Sequence, residues 1–148
     1  MQQVATLITA LLTSLAAVPA IATAACEVRS GPTTAALVEL YTSEGCSSCP
    51  PADRLLTQFR PGLALVPLAL HVGYWDHLGW RDPFAQDDFA RRQDWLAHRD
   101  SRGALFTPQF FVGGTAVRPA ALDEQVSKLN AEPARASIRL EARPQGAA

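Results

Sequence analysis

Residues 35–59 read AALVELYTSEGCSSCPPADRLLTQF. Ala35 to Thr42 is a short, continuous apolar run of the kind a fully buried strand requires. Ser43 to Pro51 is a loop by composition, built from Ser, Gly, Cys and Pro. Ala52 to Phe59 then sets Leu55, Leu56 and Phe59 on one helical face, with Pro51 suited to the first helical position and Pro61-Gly62 ending the helix. The segment is therefore strand, loop, helix, and the loop holds a Cys-x-x-Cys pair, Cys46 and Cys49.

That placement carries chemistry. A helix amino terminus offers unpaired N–H groups and a partial positive charge, and both favour a thiolate. A cysteine held there is more acidic than a free thiol and becomes a nucleophile. The two-residue spacer lets the second sulfur reach the first, so the pair can pass between dithiol and disulfide. Cys46 is assigned the attacking role and Cys49 the resolving one. Pro50 and Pro51 work against this, because Pro51 biases Pro50 away from helix, delays the helix start and removes two N–H donors. Glu44 opposes a thiolate at Cys46 as well, whereas the hydroxyls of Ser47 and Ser48 can donate to it.

Downstream, Leu63 to Val72 reads as a second buried strand in which Pro67 is the awkward member. An aromatic loop, YWDHLGWRDP, runs from Tyr74 to Pro83, with Asp76 and Asp82 as turn caps. A helix opens at Asp82-Pro83 and continues to Arg99, with Phe84, Phe89, Arg92 and Leu96 near one face. Gln109 to Val112 and Thr115 to Arg118 flank a Gly113-Gly114 hairpin turn, and Pro119 to Asn130 forms a final helix. The order is β-α-β-α-β-β-α, an α/β domain over residues 35–130 with a central mixed sheet flanked by helices. The tail, 131–148, holds one alternating stretch, Ala136 to Glu141, which is either an extra edge strand or the stub of a further β segment.

Pro108, in Phe106-Thr107-Pro108-Gln109, directly precedes a strand and is a candidate cis peptide. In this topology the turn falls beside the cysteine-bearing helix, where the backbone of Thr107 can pair with an extended substrate chain. Glu39, in the first strand, is read two ways: as a proton acceptor for Cys49, or as a strand-end carboxylate reaching water. His71, at the end of the second strand, joins Cys46 and Cys49 as a three-ligand set suited to Cu(I) or Zn, or is a histidine hydrogen-bonded at a strand end. Tyr74, Trp75, Trp80 and Phe84 are either a substrate platform over the cysteines or a mini-core that closes a long loop.

The 148 residues suit one domain. Thirteen basic and fourteen acidic side chains leave a net charge of −1, which excludes a nucleic-acid partner held by bulk charge. Three cysteines are too few for a disulfide scaffold. Residues 1–25 carry no charged side chain, are apolar and Ala-rich, and end near Ala22-Thr23-Ala24, the pattern of a cleaved signal peptide. Pro19 and the many Ala and Thr residues weigh against an uncleaved membrane anchor. Cleavage leaves no stable membrane span and a periplasmic or secreted protein, in a compartment where a disulfide persists.

The strings VELYTSEGCSSCPPADRLL, HVGYWDHLGWRDPFA and FTPQFFVGG, set in that element order, resemble a secreted bacterial thioredoxin-like family catalogued as domain of unknown function 1223, over about Leu37 to Asn130. The resemblance implies a thioredoxin-like fold and no settled activity. The leading functional expectation is an exported thiol–disulfide exchange protein acting on protein or small thiol substrates. Cys46 and Cys49 carry the exchange, with Pro108 and Glu39 beside them, and Thr107, Tyr74, Trp75 and Trp80 make the substrate surface. No cofactor is needed beyond the redox-active disulfide. One alternative is a periplasmic copper or zinc chaperone using Cys46, Cys49 and His71. The other is a non-enzymatic binding module with a structural disulfide.

Overall fold

The central strand of the sheet is the one whose two faces are both apolar. In the computed structural model, which describes residues 26–99 and 103–142, this is β2 (Ala36–Thr42), preceded by a short β1 (Cys26–Arg29). The expected signal segment, 1–25, and the end of the tail, 143–148, lie outside the described residues. The larger compact unit, Val28–Leu140, contains the whole central sheet; the smaller gathers the chain's two ends, with Cys26, Glu27, Glu141 and Ala142 its described residues.

After β2 come α1 (Pro50–Leu56), β3 (Leu65–His71), a 3-10 turn (Gly73–Leu78), α2 (Asp87–Arg99), β4 (Gln109–Val112), β5 (Thr115–Val117), a second 3-10 turn (Pro119–Ala121), α3 (Leu122–Asn130) and β6 (Arg139–Ala142). The sheet order is β3-β2-β4-β5. β2 and β3 are parallel, while β4 runs antiparallel to both β2 and β5. A mixed sheet with helices packed on it is thus the architecture. β3 lies at an edge, which explains how Pro67 is accommodated: an edge strand can lose one N–H without breaking an inner ladder.

Side-chain alternation along β2 builds two cores. Ala36, Val38 and Leu40 pack with Ala52 and Leu56 of α1, Leu122 and Val126 of α3, and Phe110 and Val112 of β4. Tyr41 faces the other way and joins Leu70, Val72, Phe111, and Leu96 and Ala97 of α2. Gly113 and Gly114 turn the β4–β5 hairpin with φ of 57° and 83°, the left-handed pair that a two-residue hairpin demands.

Several boundaries differ from the sequence reading. α1 starts at Pro50, not later, because the first helical N–H groups have no intrahelical acceptor and two prolines there forfeit nothing. Asp82 does not open α2, which begins at Asp87; of the intervening residues, Phe84 bonds to the Asp82 carboxylate, Ala85 to the Asp82 carbonyl and Gln86 to the His71 carbonyl. The aromatic loop is partly helical, over Gly73–Leu78. The expected final helix is split, its first turn being 3-10. The tail strand β6 does not join the central sheet; it pairs with β1 in a separate two-stranded sheet. No helix among the described residues is long and apolar enough to cross a membrane.

Candidate functional site at the cysteine end of the sheet

Strand register gathers the site. Thr42, the last residue of β2, pairs with His71, the last of β3, and Tyr41 pairs with Gln109, the first of β4. The loop from β2 to α1, the exit of β3 and the entry to β4 therefore meet at one end of the sheet. Ligand sites of open α/β sheets gather at such carboxyl ends.

Cys46 and Cys49 form a disulfide, with Cα atoms 5.4 Å apart. Cys46 is 4% exposed and Cys49 fully covered. The loop is closed by its own backbone: the Cys46 N–H donates to Ser43 O at 3.1 Å, and the Cys49 N–H to Cys46 O at 3.1 Å. Cys49 caps α1, its carbonyl accepting the N–H groups of Ala52 and Asp53. The Ser48 hydroxyl lies 3.5 Å from the Cys46 sulfur and, with the sulfur oxidised, is the donor. Asp53, in the first turn of α1, accepts a 2.7 Å bond from the Thr42 hydroxyl and ties the helix to the end of β2. Cys46 borders a surface cleft of about 460 Å³, shared with Glu44, Asp53, His71 and Trp80.

The turn before β4 stands on the other side. The Thr107–Pro108 peptide is cis, as the sequence suggested. Gln93, fully buried on α2, holds the approach to this turn by donating to Phe106 O at 2.9 Å and to Gln109 Oε1 at 2.7 Å; Gln109 in turn donates to Ala104 O. Between turn and cysteine loop sits Trp75. Its indole N–H donates to Thr107 Oγ1 at 2.7 Å, and its Cβ lies 3.0 Å from where a Cβ on Gly45 would be. A methyl group on Gly45 would press on Trp75.

The aromatic residues do not form one cluster. Tyr74 and Trp75 lie tilted against each other on the Thr107 side, ring centres 5.9 Å apart, and the Tyr74 hydroxyl donates to Gln93. Burial pushes the Tyr74 hydroxyl pKa up. Trp80 lines the cleft instead, exposed and donating to Glu44 Oε2 at 2.8 Å, while Phe84 sits edge-on to His71 at 5.4 Å.

His71 is anchored by Asp82, with Nδ1 2.7 Å from Asp82 Oδ2. That same oxygen accepts the Glu44 N–H at 2.8 Å, and Oδ1 accepts the Phe84 N–H at 2.9 Å. Burial alone would raise the Asp82 pKa; the Glu44 N–H, the His71 ring and the Phe84 N–H outweigh it and hold the group below its ordinary value. Sequence reasoning gave Asp82 a turn-capping and helix-opening role. The signal available was an acid eleven residues after a strand-end histidine, which no spacing rule singles out.

Glu39 requires a correction. It neither reaches water nor turns toward α1. Alternation puts it on the α2 face with Tyr41, where Arg92 Nε lies 2.5 Å from Oε1 and Arg92 Nη2 3.1 Å from Oε2. The Tyr41 hydroxyl also donates to Oε1 at 3.3 Å. Burial, with the Glu39 charge second, pushes the Tyr41 hydroxyl pKa far up, and the carboxylate likewise raises Arg92. Of the copper or zinc set, Cys46 and His71 border one cleft and Cys49 is sealed behind Cys46; among the described residues no group of three metal-capable side chains converges.

A family model described as "Protein of unknown function (DUF1223)" matches residues 37–148. The chain belongs to the DUF1223 family. The match takes in the tail and β6 as well as the sheet. This DUF1223 chain is also similar to the X-ray crystal structure of a structural-genomics target from Agrobacterium tumefaciens, at 35% identity and a TM-score of 0.58. The similarity covers 69% of this chain and 46% of that one, so the chain spans about half the length of that structure. No curated protein matches it.

Proposed function

We propose that this DUF1223 chain is a thioredoxin-like thiol–disulfide exchange protein, exported to an oxidising periplasmic or extracellular compartment. The observation that carries the reading is the Cys46–Cys49 disulfide at the sheet end shared with the Thr107–Pro108 turn, with Cys46 at an open cleft and Cys49 behind it. Unequal access suits unequal roles: an incoming thiolate attacks the sulfur it can reach, Cys46, and Cys49 leaves or resolves. Thr107 and Pro108 are the segment against which an extended substrate lies, with Trp75 between that segment and the disulfide. The order β-α-β-α-β-β-α and the sheet order β3-β2-β4-β5 support the thioredoxin-like part of the reading. Glu39 has no part in it, since its carboxylate is committed to Arg92 and Tyr41.

The test is differential alkylation. After mild reduction of the folded protein, Cys46 is expected to react faster with iodoacetamide than Cys26, which is exposed and free. A slower Cys46, or a pair that resists reduction without denaturant, overturns exchange. The near-complete burial of both cysteines supports a second reading, a structural bridge in a binding module; there Cys46→Ser with Cys49→Ser lowers the melting temperature and leaves binding intact.

A further inference from the structure

The Asp82–His71 pair lies outside the roles just assigned. Its carboxylate is fully covered, whereas the His71 side chain keeps 22% of its surface exposed at the cleft that Cys46 borders. The backbone fixes the ring from two sides: the Val72 N–H donates to Thr42 O at 2.9 Å, and the His71 carbonyl accepts the Gln86 N–H at 3.2 Å. An ionised Asp82 is an acceptor only, so the proton between them sits on Nδ1 and the lone pair of a neutral ring sits on Nε2. Among the described residues Nε2 has no hydrogen-bond partner. Asp82 Oδ2 also holds the N–H of Glu44, two residues before Cys46, so one oxygen sets the position of both the imidazole and the cysteine loop.

We infer that His71 is the acid–base group for Cys46 in the exchange reaction, with Asp82 as the residue that positions it; the inference rests on the exchange reading above. In the dithiol form Nε2 takes the Cys46 proton. The thiolate then attacks one sulfur of a protein or small-molecule disulfide: a Cys46–substrate S–S bond forms and the substrate's own S–S bond breaks. The departing thiolate takes the proton from the imidazolium. Cys49 next attacks Cys46 Sγ and restores the 46–49 bond, and the second substrate sulfur leaves with the proton that Cys49 gives up. Two electrons pass from the dithiol to the disulfide, and the reverse sequence oxidises a dithiol. An arrangement of nucleophile, base and orienting carboxylate is the general form of an activated nucleophile.

The cleft's other ionisable groups define the background. Glu44, bound to the Trp80 indole, and Asp53, bound to the Thr42 hydroxyl, are carboxylates that disfavour a thiolate. Asp76 stands behind Asp82, accepting its N–H at 3.1 Å. Among the described residues that line the cleft, His71 is the one side chain able to carry a positive charge. Without it, these acids leave Cys46 less reactive than an exposed thiol.

The experiment is the pH profile of iodoacetamide alkylation at Cys46 in the reduced full chain, read by mass spectrometry, for the native protein, His71→Gln, Asp82→Asn and the distant control His98→Gln. His71→Gln is expected to slow Cys46 at pH 7 by about tenfold and to move its profile to higher pH, with Cys26 unchanged. Asp82→Asn is expected to shift the same profile part of the way, and His98→Gln to leave it in place. Melting curves verify folding; should Asp82→Asn unfold, His71→Gln, at a position that is partly open to solvent, decides alone. A fast native Cys46 with an unmoved His71→Gln profile overturns the inference and leaves exchange standing. A native Cys46 slower than Cys26 overturns both.

Discussion

Trp75 and Thr107 share a 2.7 Å hydrogen bond that joins the aromatic segment after β3 to the turn before β4, and the same indole residue presses on the backbone at Gly45. One side chain thereby spaces the two loops between which a substrate would enter. Removing the bond with Trp75→Phe or Thr107→Val is expected to cost about 1 kcal/mol in each case. The double variant should cost less than the sum, because the two changes delete one interaction. Gly45→Ala should cost about 1–3 kcal/mol, since its methyl group meets the Trp75 Cβ at 3.0 Å. Urea unfolding with a constant slope checks all four.

The Glu39–Arg92 pair makes a second case. Glu39 is fully buried, and Arg92 is half-exposed. Arg92→Met strands a carboxylate in the core and is expected to cost about 2–3 kcal/mol, toward the low end for a broken buried pair because Arg92 reaches water. Glu39→Leu combined with Arg92→Met should recover most of that loss, since two apolar groups need no partner. A double-mutant cycle by denaturant unfolding measures it. Cys46 alkylation should not change in either variant, which separates this pair from the exchange site.

Asp82 gives a pH prediction with a definite sign. Its folded pKa lies below its ordinary value of 3.8, so the folded state binds the proton less well than the unfolded chain. The stability this contributes is fully present above about pH 4 and is lost as pH falls through the folded value. Asp82→Asn should therefore be less stable than the native protein at pH 7, and the gap should narrow below pH 4. Melting temperatures at pH 7, 5, 4 and 3 give the comparison.

How much of this was legible in the sequence depends on range. The β2 run, the Cys-x-x-Cys loop, the cis proline and the Gly113-Gly114 hairpin are local signals, and each stands where its residues put it. Helix starts were harder. Two prolines after Cys49 read as a delay because the rule for the residue before proline is strict, yet a helix opening tolerates both. Glu39 was read from spacing to the cysteines, but its partner is fifty-three positions away on α2, and only the sheet's alternation decides which face it takes. Asp82 was invisible as part of a site for the same reason. Phe84 is a local partner of its carboxylate, but Glu44 and His71 come from separate segments that the β2–β3 pairing brings together. β1 lacked a signal of its own and forms by pairing with the tail.

The central claim is that the Cys46–Cys49 bond is made and broken in use. Its reduction potential, from equilibration of the folded protein with glutathione buffers, tests this most directly. Exchange requires a value within the span of working exchangers, about −120 to −270 mV. A value below about −300 mV, where structural bridges lie, would contradict it.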